Sequence, residues 1–296
     1  MKKFIIYIIS TVFAYLILLE VTTRVFDLSG HTEPEINLNN NRLLKPNSEG
    51  IWVNGGKGEI VGHYKINEQG FNSLKDYSTL DKDKLSIAII GDSYIEGFHV
   101  DVENSIGRLL EAETQHTVEV HEYAKSGGNI VDFSLMFKQW IKNKYDYTFI
   151  LATSDDLSAK HAAFMGKGNS IPQQSVGREI YNKLSFMRYL NINHELNYKL
   201  RKVFSFSFSS PFSTVHQQKS VSSKFINASA IKEFDANCVI LYEKGRLDTT
   251  LLSDYELPCV AIVPKYKRID FGFDSHWNIN GRKNCALTIK NYIESH

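Results

Sequence analysis

The chain has 296 residues, enough for one substantial core without a second domain. Its 34 basic and 33 acidic residues leave a net charge of +1, and no basic cluster carries interleaved aromatics, so no nucleic-acid partner is expected. The three cysteines, Cys238, Cys259 and Cys285, make no disulfide framework and no C-x-x-C pair, which leaves zinc ribbons and thioredoxin-like redox chemistry unsupported.

The N-terminus carries the clearest local signal. Lys2 and Lys3 precede an uncharged run from Phe4 to Leu19. As a helix that run covers ~24 Å, and Val21 to Thr23 extend it toward the ~30 Å bilayer core. The run is apolar on all sides, unlike the single stripe of a surface helix. Residues 1–24 are therefore expected to be a single-pass signal anchor in the inner (cytoplasmic) membrane. The paired lysines predict a cytoplasmic N-terminus, with the remaining chain periplasmic or extracellular. A cleaved signal peptide is the rival reading, and it exports the chain equally. No small-x-small site follows the run; Glu20, Val21, Thr22, Thr23 and Arg24 do. Glu20 and Arg24, four apart, read as an interfacial ion pair.

Residues 25–80 are expected to hold a linker and a small β-hairpin region. Residues 25–48 are mostly polar, with Asn39 to Asn41 and two prolines. Short strand-like pieces follow around Gly55 and at His63 to Ile66, then a turn at Gly70.

Residues 81–296 alternate strand and helix. Leu85 to Ile90 is an apolar run ending at Gly91 and reads as a buried strand. Asn104 to Glu113 has helical spacing. Val118 to Val120 is a second strand, Val131 to Lys142 a helix, and Tyr147 to Ala152 a third strand. Cys238 to Tyr242 and Cys259 to Val263 are two more, whose cysteines read as buried free thiols. Asn280 to Ser295 closes as a helix. This rhythm predicts an α/β fold: a largely parallel sheet with helices on both faces, a three-layer flavodoxin-like arrangement. An insertion at about 158–235 breaks the rhythm. Within it Phe204 to Phe208 alternates phenylalanine and serine, as a half-buried strand does.

In open parallel sheets ligands bind beyond the carboxyl ends of the strands. Three polar clusters sit at such ends: Gly91-Asp92-Ser93, Lys125-Ser126-Gly127-Gly128 and Thr153-Ser154-Asp155-Asp156. A fourth, Asp274-Ser275-His276-Trp277-Asn278, precedes the last helix. A serine hydroxyl is a poor nucleophile until a base takes its proton. His276 is the candidate base, and Asp274, two residues earlier, the carboxylate that orients it. Acyl transfer also needs donors for the developing oxyanion. The N–H of Ser93 is one candidate. Glycine at 127 allows a second close approach, with Gly128 as its rival. Trp277 reads as packing. Asp156 reads as structural, in a helix N-cap pair with Asp155. His116 and His121, five apart, read as surface residues.

The block Ile87-Ala-Ile-Ile-Gly-Asp-Ser-Tyr-Ile-Glu-Gly97 resembles the nucleophile block of the SGNH hydrolases, also called GDSL-like esterases. Val118-Glu-Val-His-Glu-Tyr-Ala-Lys-Ser-Gly127 is similar to the family's second block, which ends in the oxyanion glycine. Asp274-Ser-His276-Trp-Asn is similar to its last block, in the D-x-H-W-N form of membrane-linked polysaccharide acetyl esterases and transferases. The resemblance spans roughly residues 60–156 and 237–295. It implies catalytic Ser93, His276 and Asp274, an oxyanion hole at Ser93, Gly127 and position 155, no cofactor and no metal. It implies esterase or O-acyltransferase activity on acyl esters, acetyl above all, of an envelope carbohydrate or other small ester.

One block departs from the family. Asp155 stands where the family has an asparagine whose amide helps hold the oxyanion. An ionised carboxylate does not donate, and losing one oxyanion donor typically costs ~10²–10³ in rate. Burial that keeps Asp155 protonated, or a hydroxyl from Thr153 or Ser154, would compensate. Without such compensation the alternative is a catalytically impaired module that binds polysaccharide or scaffolds an envelope assembly. Other chemistries lack their motifs: no G-x-S-x-G, no G-x-x-x-x-G-K-[ST] and no G-x-G-x-x-G occurs.

Overall fold

The structure is a computed structural model that describes residues 2–30, 35–55, 58–158, 183–194, 227–262, 265 and 268–296. The expected Phe204–Phe208 strand and most of the 158–235 insertion lie outside the described residues. The chain divides into two compact units. One comprises Met1–Thr32, Gly50–Gly62 and Pro172–Gln217; the other comprises Glu33–Glu49, His63–Ile171 and Gln218–His296.

In the first unit, helix α1 (Lys2–Val25) is uncharged from Phe4 to Leu19 and long enough to cross a membrane, about 36 Å for 24 residues. Glu20 does more than pair with Arg24 (2.5 Å). Its carboxylate accepts the backbone N–H groups of Ser185 (3.2 Å) and Phe186 (3.1 Å), the first residues of a second helix, Ser185–His194. Arg24 donates to the carbonyl of Lys183 at 2.6 Å. The pair therefore caps a tertiary neighbour, a role that i, i+4 spacing does not reveal.

Residues 35–44, read as linker, form a hairpin instead. Strands β1 (Glu35–Leu38) and β2 (Asn41–Leu44) pair antiparallel around Asn39 and Asn40. Both asparagines have positive φ, 51° and 65°, as a tight two-residue hairpin turn requires. Leu43 and Leu44 are buried, so the polar stretch is held down by its apolar end. Strands β3 (Glu49–Asn54) and β4 (Ile60–Lys65) form a second two-stranded sheet, where one hairpin was expected.

The second unit is built on a parallel sheet of β5 (Leu85–Gly91), β6 (Val118–Ala124), β7 (Tyr147–Leu151), β8 (Cys238–Glu243) and β9 (Cys259–Ile262). Its order is β6-β5-β7-β8-β9, and each neighbouring pair is parallel. This is the flavodoxin-like order, with a topological switch at β5. Alternating side chains feed two cores. Ala88, Ile90, Ile150, Cys238 and Ile240 pack with Phe133, Met136 and Phe137 of the segment after β6, helix Ile130–Met136 with a π-turn to Ile141. Ile87, Ile89, Phe149, Val239 and Leu241 pack on the other face with Ile106 and Leu110 of helix Ile106–Glu113, and with Cys285, Ala286 and Ile289 of helix Ile279–Ser295. Helices thus cover both faces, as the strand and helix rhythm predicts.

Strand β6 is longer than the apolar run Val118–Val120 implies, because it continues through polar residues that find partners. All seven of its residues are buried. His121, expected at the surface, is fully buried: its Nδ1 lies 2.7 Å from Tyr145 Oη and its Nε2 3.1 Å from Glu119 Oε1. His116 is exposed. The three cysteines are free thiols, Cys238 and Cys285 buried.

Candidate active site

Strand β5 ends at Gly91, where a Cβ would overlap Ile95, so the chain turns at once into a short helix, Ser93–Glu96. The carboxylate of Asp92 caps it by accepting the N–H of Tyr94 at 3.0 Å. Gly97 closes it in the left-handed conformation (φ 69°), its N–H donating to Ser93 O at 3.0 Å. Ser93 therefore stands at the head of a one-turn helix, at the switch point of the sheet.

The other half comes from the loop before the last helix, which is held on both sides. Asn278 caps that helix, accepting from the N–H of Asn280 (2.9 Å) and Gly281 (3.2 Å). Trp277 is buried, and its Nε1 donates to Glu243 Oε1 at 2.7 Å. Between these anchors and Asp270, which bridges to Trp277, the loop presents His276. Its Nε2 is 2.8 Å from Ser93 Oγ and its Nδ1 is 2.6 Å from Asp274 Oδ1. Asp274 Oδ1 also accepts the backbone N–H of His276 at 2.9 Å, the fold-back turn expected of an aspartate two residues before its partner. Burial alone would raise the Asp274 carboxyl; the hydrogen bonds from His276, with the His99 imidazole close to its other oxygen, more than reverse this and hold it far below the carboxylate range.

The glycine loop after β6 is tied to the serine helix. Buried Glu96 accepts the N–H of Ser126 at 2.9 Å and is hydrogen-bonded to its hydroxyl. Gly127 is exposed with φ 73°. The N–H of its rival Gly128 is already committed to Lys125 O at 2.8 Å, and Gly128 is packed against Phe133. Among the described residues the N–H groups of Ser93 and Gly127 carry no hydrogen bond.

The third cluster departs from expectation. Asp155 is exposed, so the burial that would compensate for it is absent. Of the hydroxyls offered in its place, that of Thr153 donates to Asp156 Oδ2 at 2.7 Å, and that of Ser154 accepts from the N–H of Asp248 at 3.0 Å. Asp156 also accepts the N–H of Thr153 at 2.8 Å, which makes it structural through a local loop rather than through a helix cap.

Sequence reasoning missed two neighbours. Tyr94 Oη accepts from Arg246 Nη1 at 2.7 Å and donates to Ser275 O at 3.0 Å, and its ring lies 4.9 Å from that of His276. His99 stacks on His276 with ring centroids 3.8 Å apart and planes 16° from parallel. Neither Arg246 nor His99 sits in a recognisable block, and only the folded sheet edge brings them in. His99, Asp274 and His276 are also the three metal-capable side chains among the described residues whose ligand atoms lie within 4.8 Å. The near-parallel stack sets the two imidazole planes side by side rather than converging on one point. That arrangement suits a shared carboxylate better than a common ion.

No protein-family model matches the chain, and no curated protein matches it in sequence. The solved structures it is similar to include lipases, acylhydrolases and esterases, among them members of the G-D-S-L lipolytic family. A lipase/acylhydrolase from Enterococcus faecalis is 11% identical over 71% of this chain and 96% of its own, with a TM-score of 0.37. A carbohydrate esterase family 2 enzyme from Corynascus thermopiles is 13% identical over 72% and 67%, with a TM-score of 0.32. A psychrotrophic esterase from Pseudoalteromonas is 10% identical over 71% and 98%, with a TM-score of 0.33. The fold itself is defined by strand order: a three-layer α/β sheet of flavodoxin-like topology, carrying a serine, a histidine and an aspartate at its carboxyl edge.

Proposed function

We propose that the chain is a serine esterase or O-acyltransferase acting on acyl esters, acetyl above all, of an envelope carbohydrate. The observation that carries this reading is the Ser93–His276–Asp274 relay, 2.8 Å and 2.6 Å long, with both imidazole nitrogens engaged. Asp274 accepts at Nδ1, which leaves Nε2 as the base facing the hydroxyl. Ser93 Oγ attacks the acyl carbonyl while His276 takes its proton. The N–H groups of Ser93 and Gly127 receive the oxyanion. Collapse expels the sugar oxygen, which takes the proton back from His276. The acyl-serine then passes its acyl group to water or to another sugar hydroxyl.

Lys2 and Lys3 at the start of α1 favour a cytoplasmic N-terminus and hence a catalytic unit on the outer side of the membrane, periplasmic or extracellular. Acylated carbohydrate is one ester substrate such a location offers. Purified full-length protein in detergent, given a short-chain nitrophenyl ester, is expected to turn it over, and Ser93→Ala is expected to lose that turnover. Equal rates for the two proteins would refute the reading. Adding an unacylated oligosaccharide and following its mass separates transfer from hydrolysis.

The exposed carboxylate of Asp155 supports a second reading, a catalytically impaired module that binds polysaccharide. Polysaccharide binding that survives Ser93→Ala and His276→Ala, without hydrolysis by the wild type, would favour it.

A further inference from the structure

His99 belongs to none of the sequence blocks, yet it touches two of the three residues of the relay. It lies two residues beyond Gly97, the residue that ends the serine helix. Its ring lies flat on that of His276. Its Nε2 is 3.6 Å from Asp274 Oδ2, the carboxylate oxygen that neither His276 contact uses. Asp274 is thus enclosed by two imidazoles, one at each oxygen. The separation is just beyond hydrogen-bond length, and such contacts in resting sites tighten as charge develops.

His99 is buried. Burial, with His276 adding to it and Asp274 pulling the other way, lowers its pKa to about 4. Around neutral pH it is therefore uncharged. A neutral imidazole carries one N–H, and a carboxylate only accepts, so the proton belongs on Nε2, toward Asp274. The uncharged state also matters for the stack, because a second cation 3.8 Å away would oppose the imidazolium that forms when His276 takes the serine proton. The remaining groups facing the pair are Phe271 and the buried Arg282 on the His99 side, with the Tyr94 ring and Ser93 on the His276 side.

We propose that His99 is a positioning residue of this site: a neutral imidazole that donates to the second oxygen of Asp274 and lies flat on His276, fixing the ring in the attitude from which it accepts the proton of Ser93. This rests on the serine-esterase reading above. It acts through Asp274 and His276.

The test compares full-length wild type with His99→Phe, which keeps a flat ring and loses the donor, and His99→Gln, which keeps a donor and loses the ring. Two readouts are followed: kcat/KM against pH with a nitrophenyl ester, and the downfield proton resonance of the His276–Asp274 hydrogen bond. In His99→Phe, kcat falls about tenfold with KM within about twofold, the scale of one lost hydrogen bond to a charged group. Its acid limb moves to higher pH, because Asp274 with one donor fewer presents more charge to His276, and the downfield resonance moves with it. His99→Gln returns both toward wild type. Should the buried phenylalanine prevent folding, His99→Leu removes the same donor and is read the same way. An acid limb and a resonance unchanged from wild type in the donor-less variant overturn the proposal. The resonance is measured without substrate. A wild type that turns over no ester but whose resonance responds to His99→Phe would refute the esterase reading and leave the positioning contact standing.

Discussion

Ser93 Oγ and His276 Nε2 lie 2.8 Å apart although 183 positions separate them in the chain. Two local devices produce this meeting. Gly91 and the Asp92 cap turn the chain sharply out of β5, and the buried Trp277 with the Asn278 cap fix the loop ahead of the last helix. Both end at the carboxyl edge of the same parallel sheet.

Asp274 gives a prediction with a definite sign in pH. Its folded-state pKa is depressed, so it stabilises the fold above the ordinary carboxylate value of about 3.9, and this contribution is lost as pH falls below that. Asp274→Asn is expected to lower kcat by about 10³–10⁴, the cost of such a change in a serine–histidine–aspartate site. In thermal melts the variant is expected to be less stable than wild type at pH 7, with the gap narrowing toward pH 3. A constant gap would contradict the assignment of this carboxylate.

Asp92 behaves in the opposite sense. Burial, then the neighbouring Asp156 carboxylate, pushes its pKa up to about 7. The folded chain holds this proton to higher pH than the unfolded chain, so Asp92 costs stability as pH rises from about 4 toward 7. Asp92→Asn keeps the acceptor that caps Tyr94 and removes the charge. Its melting temperature is expected to exceed the wild type's at pH 8 by a few degrees, at about 2–4 °C per kcal/mol, and by less at pH 4. Melts at the two pH values decide this.

Asp155→Asn restores an amide donor at the third cluster. Because position 155 is exposed, the gain is expected to be well short of the ~10²–10³ that a buried oxyanion donor supplies, about threefold or more in kcat. Steady-state kinetics of the two proteins measure it. A fall in kcat would show the aspartate to be adapted to this site.

The sheet was legible because its strands are apolar runs that end in small polar residues. Leu85–Gly91 and Tyr147–Leu151 are buried on both faces, and such strands read plainly. Ser93, His276 and Asp274 were legible for a related reason: each sits beside a strand end or a helix cap, where local chemistry fixes the backbone. Strand β6 was cut short because His121 and Glu122, polar residues buried only by the tertiary fold, do not look like core. The hairpin at Asn39–Asn40 hid inside a polar stretch for want of a long apolar flank. His99 left no trace in the sequence. Its role depends on a stack and a carboxylate 175 and more positions away, which no spacing rule encodes.

The most direct measurement is covalent capture of the nucleophile. Full-length protein is treated with a fluorophosphonate, digested and analysed by mass spectrometry. One adduct is expected, on Ser93, strongly reduced in His276→Ala and unaffected by changes at exposed serines. Absence of labelling at Ser93 in folded wild-type protein, or equal labelling after His276→Ala, would contradict it.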